Sequence, residues 1–434
     1  MNEAAPKCSI TRQVTGHDAA LLSRSLAEPD LLSKPTDYFR ALRQNDPVHF
    51  DEKLNMYLVS RWDDLQTVFR DPVTFSQEMG WHQQFAIGHI DELKEILNRD
   101  GGGYFPEAIL RDPPRHKRVR KLMEKAFTPE RVAHIEPRIK AAIGRLIDKV
   151  ADQGHADGFN DLAMPMAIAV MSEQLGVPYE DGKKIVGWTH AYLAQVGGMQ
   201  TRDAMLANAK QICDLQNYVI ARIGERQANR TEDMISDLIY ARLEDEENES
   251  LTFAEIVALT RTLVVGGNDT TASAITSLLY TVATKPDVAA ALESSVDDNI
   301  RMSRFIEELL RLEPPARALY RVTTKDVELG GKQIPTGAYV CTLFASGNED
   351  EGIFTCPRDF DMDRKNLGRH LSFGAGIHHC VGINLARMEI KVAAREIIKR
   401  LKDIKLAVPE GQLKKVLNLS FHSYESLPLT FTRR

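Results

Sequence analysis

The chain has little cysteine. Cys8, Cys213, Cys341, Cys356 and Cys380 are all that 434 residues hold. Five scattered thiols, odd in number, exclude a disulfide framework. Long apolar runs are missing too. None approaches the ~18 residues that cross a membrane, so no membrane anchor is expected. The N-terminus, MNEAAPKCSITRQ, has neither the charged start nor the apolar stretch of a secretion signal. Asn268-Asp269-Thr270 therefore carries no glycosylation meaning, although it matches the acceptor pattern. Positive charge is not in surplus: 55 Lys and Arg face 61 Asp and Glu, for a net charge of -6. That argues against a nucleic-acid partner. No internal repeat and no low-complexity linker interrupts the chain. What remains is a cytoplasmic protein, read as one domain over residues 1–434 and as a monomer, with enough apolar residues for a large core.

Most of the chain reads as helix. PTDYFRALRQNDPV and RWDDLQTVFRD are two early helices, with VHFDEKLNMYLVS between them as a short hairpin. Phe75 to Arg111 reads as irregular, broken by Gly101-Gly102-Gly103, a mobile or tightly turning loop long enough to suggest a lid. From Pro113 to Leu312 apolar residues recur at three- and four-residue steps. The strongest helix runs from Thr252 to Thr284, opens on the capping box Thr252-Phe253-Ala254-Glu255 and stops before Pro286. RVTTKDVELGGKQIPTGAYVCTL alternates like two strands joined at Gly330-Gly331. A last helix follows Cys380, and short strands end the chain. The fold class is mainly α with a smaller β region.

Two stretches break the pattern. Gly266-Gly267-Asn268-Asp269-Thr270-Thr271 sits at the middle of the longest helix, where each glycine costs about 1 kcal/mol against alanine. A carboxylate there needs a partner or a task. In FGAGIHHCVG, Phe373 to Gly382, a cysteine follows a glycine-rich turn and opens a helix. The helix dipole and free N–H groups stabilise a thiolate at such a place, which suits one axial bond to an iron. A zinc site on His378, His379 and Cys380 is the rival; adjacent residues rarely reach one tetrahedral ion together. A buried inert cysteine is the plainer alternative.

Phe373, Gly376, Cys380 and Gly382 fill the haem-binding pattern Phe-x-x-Gly-x-x-x-Cys-x-Gly. With Glu308 and Arg311 of EELLR, the GGNDT stretch and DPPRHKRVRKLMEKAFTP, all in order, the chain resembles a cytochrome P-450. The resemblance implies a triangular helical domain whose long central helix crosses a haem b. It makes Cys380 the axial ligand and His116, Arg120, Arg321 and His378 the propionate contacts. His116 and Arg120 are four apart and share a helix face; a solvated basic face is the alternative. Glu308 and Arg311 would be structural. Asp359 stands where the family often has a third partner, leaving Arg358 or Arg364 to replace it. Gly266 and Gly267 would make room over the haem, with helix N–H and C=O groups parting locally. Thr270 would donate a hydrogen bond to bound oxygen and Asp269 would relay protons; bonds back to helix carbonyls are the alternative for Thr270 and Thr271.

The implied activity is monooxygenation, with O2 as co-substrate and electrons ultimately from NAD(P)H. With no fused reductase or ferredoxin module and no Rossmann fingerprint, ferredoxin and ferredoxin reductase are the expected partners. Arg115, Lys117, Arg118, Lys121 and Arg387 are the candidate docking cations. Candidate pocket residues are Trp81, Phe85, Thr262, Val265, Gly266, Arg317, Ala318, Leu319, Ser420 and Phe421. That lining suits a hydrophobic substrate, with a terpenoid, steroid or aromatic hydrocarbon preferred; Arg317 would pair with a polar substrate group or face solvent. Desaturation, C–C cleavage or oxidative coupling are enzymatic alternatives, and a haem sensor or carrier the non-enzymatic one.

Overall fold

Capping and periodicity set the helix boundaries. The computed structural model describes residues 16–78, 89–127, 129–196, 201–243 and 250–434; Trp81 and Phe85 lie outside the described residues. The helices that build the site are α1 (Thr36–Asn45), α2 (Trp62–Arg70), α3 (Ile90–Asp100), α4 (Arg115–Glu124), α5 (Pro129–Ala151), α6 (Met164–Leu175), α7 (Gly182–Val196), α8 (Arg202–Ala228), α9 (Phe253–Thr284), α10 (Asn299–Leu312) and α11 (Ile383–Arg400). The capping box at α9 forms in both directions: Glu255 N–H donates to Thr252 Oγ1 at 3.3 Å and Thr252 N–H to Glu255 Oε2 at 2.8 Å. The helix is α-helical throughout, so the local parting expected near Gly266 does not occur. At 1.5 Å per residue it is about 48 Å long.

The strands are β1 (Val48–Asp51), β2 (Met56–Val59), β3 (Phe75–Ser76), β4 (His155–Asp157), β5 (Ala318–Thr323), β6 (Val327–Leu329), β7 (Lys332–Ile334), β8 (Tyr339–Leu343), β9 (Leu401–Leu406) and β10 (Pro428–Arg433). One sheet runs β1-β2-β8-β5-β3, a second β4-β10-β9, and β6 pairs β7 alone. The reading of two strands joined at Gly330-Gly331 holds for an inner pair and misses the outer one. Those glycines, at φ 55° and 78°, turn the inner β6–β7 hairpin. The longer pair is β5 with β8, closed around that hairpin. The irregular reading of Phe75 to Arg111 is corrected, because IDELKEILNRD forms α3. The triple glycine that follows is a tight turn, with Gly102 and Gly103 at φ 77° and 139°. Gln216 Nε2 clamps it by donating to the Gly101 and Gly103 carbonyls at 2.5 and 2.6 Å.

Apolar faces on both sides of α9 form the main core. Ala274, Ile275, Leu278 and Leu279 pack with α5, α6, α10 and α11, while Val257, Ala258, Val264 and Val265 pack with α3, α4, α7 and α8. At the end of α10, Glu308 and Arg311 are fully buried and bonded bidentately at 2.7 Å. Arg364 is the third member, its Nε 2.9 Å from Glu308 Oε1. Arg358, itself mostly exposed, instead pairs with the buried Glu349. A buried carboxylate stripped of one cation is expensive, about 3 kcal/mol or more. Arg364→Leu should therefore lower the unfolding free energy in urea by that much, and Arg358→Leu, whose guanidinium lies mostly in water, by about 1 kcal/mol or less. Equal losses would show that Arg364 does not complete the network.

Candidate active site

The cysteine loop is built by its backbone. Cys380 N–H donates to the Phe373 carbonyl at 3.0 Å and closes the turn. Gly376 has φ 68°, and a Cβ there would stand 2.2 Å from the Phe69 carbonyl oxygen; only glycine allows that approach to α2. Asn348 ties the loop to the Glu308 network, accepting from Leu371 N–H at 2.5 Å and donating to Ser372 Oγ at 2.9 Å. Arg387 lies 5.1 Å over the Phe373 ring.

Cys380 opens onto a cavity of about 340 Å³ between α9, α11 and β5. The opposite wall is α9, with Thr262, Gly266, Gly267, Thr270 and Thr271 at helical spacing. Cβ atoms added at Gly266 and Gly267 would meet nothing within 4 Å, so the room expected over this helix is present. Strand alternation brings Leu319 and Arg321 to the cavity and sends Ala318 and Tyr320 to the core behind.

Positive and donor groups gather at one end. Arg321 is buried, donates to the Tyr320 carbonyl at 2.8 Å and has no carboxylate within ion-pair distance among the described residues. Burial holds its pKa down to about 10. His116 stacks edge-on against His378 with ring centroids 4.5 Å apart, and its buried Nε2 has no partner among the described residues. His378 makes no hydrogen bond of good geometry through either ring nitrogen; burial, then the charges of Arg321 and His116, push it to about 2. Arg120 donates to the His379 carbonyl at 2.5 Å and to Glu124 at 2.6 Å. A buried guanidinium without an anion and an orphaned imidazole nitrogen are costly unless an anionic ligand meets them. The two carboxylates of a haem would, so these residues fit the group. Burial pushes the Cys380 thiol up, while the Gly382 N–H, Arg120 and Arg387 pull it back. The stabilising dipole expected from sequence is therefore outweighed by burial, and an iron is the cation that would compensate the thiolate. Among the described residues no three His, Cys, Asp or Glu converge on one metal, which removes the zinc alternative.

A family model, "Cytochrome P450", matches residues 71–420. The chain belongs to the cytochrome P450 family. It is 32% identical to the cytochrome P450 monooxygenase PikC of Streptomyces venezuelae, over 98% of this chain and 97% of that one. It is 33% identical to the erythromycin C-12 hydroxylase of Saccharopolyspora erythraea, over 84% and 86%. Cytochrome P450 CYP109Q5 from Chondromyces apiculatus matches in structure with a TM-score of 0.80 at 30% identity, covering 95% and 98%. This P450 is of the bacterial type and is a monooxygenase. It uses haem b iron and O2, with electrons derived from NAD(P)H. No helix among the described residues is long and apolar enough to cross a membrane.

Five pocket expectations are corrected. Val265 faces away from the cavity into the α7–α8 core, and Ala318 is turned away by the strand. Ser420 donates to Tyr320 Oη at 2.9 Å, and Phe421 packs on the α9 core. Arg317 is tied to the Leu32 carbonyl at 3.0 Å and His422 Nδ1 at 2.6 Å and does not line the cavity. Thr262 lines the cavity but gives its hydroxyl to Glu107. Of the docking cations, Arg118 is bound to Glu255 and Arg387 to Glu307, while Arg115, Lys117 and Lys121 lie at the surface.

The acid and alcohols of α9 part company. Thr270 Oγ1 donates back to the Gly266 carbonyl at 2.5 Å. Asp269 is turned out of the cavity to His190, 2.8 Å away on α7. Thr271 donates to Glu389 Oε2 at 2.9 Å, a cavity-wall carboxyl that sequence reasoning missed. Its signal was present: Leu385, Ala386, Glu389, Ile390 and Ala393 share one apolar face of α11. Burial pushes Glu389 up to about 8. A raised acid pKa makes the fold pay as pH rises from the ordinary 4.5 toward 8, because the unfolded chain ionises first. Glu389→Gln should therefore raise Tm little at pH ~5 and more at pH ~8. An equal effect at both would show that the carboxyl ionises normally.

Proposed function

We propose that this monooxygenase hydroxylates a hydrophobic small molecule, a terpenoid, steroid or aromatic compound. Two electrons per turnover come from a separate ferredoxin and its reductase. The observation that carries the reading is one cavity whose wall holds both the Cys380 sulfur and Thr270, with an otherwise mostly apolar lining. Cys380 would hold the haem iron, and Arg321, His378, His116 and Arg120 would face its propionates. Bound there, haem supplies the reductive activation of O2 and the insertion of one oxygen atom into a C–H bond.

The chain's own residues orient the substrate, exclude water and move protons. Leu319, Leu263, Phe344 and Val170 shape the apolar wall, and shape rather than charge would select the substrate. Thr270 must release the Gly266 carbonyl to donate its O–H into the cavity. Asp269, beside it in sequence, holds the proton that replaces it. Surface cations on α4, Arg115, Lys117 and Lys121, would steer an acidic ferredoxin to the face near Cys380.

Screening hydrophobic compounds for a low-to-high-spin shift of the haem should find binders among terpenoids, steroids or aromatics. Shifts produced only by polar or anionic compounds would refute that class. With a binder in hand, Thr270→Ala should keep haem and substrate affinity while product per NAD(P)H consumed falls roughly tenfold and peroxide rises. Unchanged coupling would remove Thr270 from the mechanism.

A further inference from the structure

Asp269 has an unusual neighbour. Its Oδ1 lies 2.8 Å from His190 Nε2, while its Oδ2 is buried with no partner among the described residues. The two side chains differ sharply in exposure: the imidazole is 50% exposed and the carboxylate 13%. His190 thus touches bulk water on one side and a nearly buried acid on the other. Asp269 in turn adjoins Thr270, whose side chain is on the cavity wall. His190 thus links the surface of α7 to Asp269, and the next residue of α9, Thr270, faces the cavity.

We propose that His190 is the solvent-side member of the proton path and loads Asp269 from bulk water. This rests on the reading of Asp269 as the relay acid. The imidazolium gives its Nε2 proton to Asp269 Oδ1, becoming neutral as the carboxylate becomes a carboxylic acid. The half-exposed ring then turns and takes a replacement proton from water, so one proton enters for each that leaves. Arginine or lysine at this position would hold the carboxylate but could not release a proton near neutral pH; histidine can.

The surroundings isolate the pair. The Asp269 hydrogen bond raises the imidazole's pKa from its ordinary value against the effect of burial, and no charge from α8 or from the Tyr179–Asp181 turn contributes among the described residues. On α7 itself, Lys184 is drawn to Asp181, 3.5 Å away, and Tyr218 of α8 also donates to Asp181, at 2.9 Å. Asp269 is therefore the partner that decides whether His190 carries a proton. The charged form persists at low pH and is lost as pH rises through the raised value.

The test uses holoenzyme with a coupled substrate and saturating redox partners. Histidine C2 hydrogen–deuterium exchange, read by mass spectrometry, gives the His190 titration without turnover. It should titrate above ~6.5 and return to about that value in Asp269→Asn. An ordinary value in the unaltered enzyme would overturn the pairing. The coupled rate should decline as pH rises through the measured His190 value. His190→Gln should flatten that profile and lower the coupled rate roughly tenfold, with a larger solvent isotope effect. His190→Lys, which keeps the ion pair, should be equally slow. Full activity of His190→Lys would make the residue a charge that holds Asp269, overturning proton transfer. Asp269→Asn separates the two readings. If it stays coupled, the relay role of Asp269 fails; if it uncouples while His190→Gln keeps the unaltered profile, only the proposal for His190 fails.

Discussion

The structure turns on where one sulfur sits. To hold a haem iron, Cys380 would have to face an apolar cavity as a thiolate, and burial opposes that charge. The Gly382 N–H and the guanidiniums of Arg120 and Arg387 offset part of that cost. The rest falls to whatever cation meets the sulfur. A thiolate so placed has to be held in position, because a small drift would lose the bond. The means are two backbone contacts, the Cys380–Phe373 hydrogen bond and the glycine-only approach of Gly376 to Phe69, and the Asn348 side chain bridging to Ser372 and Leu371. Behind them, Arg311 donates to the Asn348 and Pro357 carbonyls at 2.9 and 2.7 Å. The Glu308–Arg311–Arg364 cluster therefore anchors the loop through peptide groups and never touches the cavity.

The facing wall follows from helix geometry. A 3.6-residue period puts Thr262, Gly266, Thr270 and Ala274 on the cavity and turns Val265 and Asp269 to the other elements that pack on α9. Neighbouring residues in sequence thus face different elements. Asp269 and Thr270 can work as a pair only if one of them moves, since one bonds to α7 and the other to its own helix.

Much of this was legible in the sequence because it is local. The capping box at Thr252, the helix stop before Pro286 and the cysteine loop's spacing are short-range signals, and they locate α9 and Cys380. The family resemblance rested on the same short motifs. What failed was long-range or orientational. Ala318 and Leu319 looked equivalent until the pairing of β5 with β8 fixed which one faces inward. Arg317 looked like a substrate contact because nothing in its neighbourhood announces Leu32 and His422, each about a hundred residues or more away along the chain. Arg358 and Arg364 could not be ranked without knowing which of them the chain folds back onto Glu308. His190 carries no local mark at all; only the packing of α7 on α9 makes it relevant.

Two carboxyls flank the same stretch of α9 under opposite conditions. Glu389 meets a hydroxyl, Thr271, and no cation among the described residues: on its own helix Arg387 is committed to Glu307 and Lys391 donates to Ser303 at 2.8 Å. Without a counter-charge, burial decides, and the group stays protonated to about pH 8. Asp269 meets an imidazole that reaches water. A neutral, enclosed acid can lend a hydrogen bond but has no charged neighbour to exchange with, whereas an acid beside a titratable, exposed ring can be reloaded. The difference in partner, rather than in the carboxyl itself, is what favours the proposed relay role for Asp269 and a fixed polar wall for Glu389.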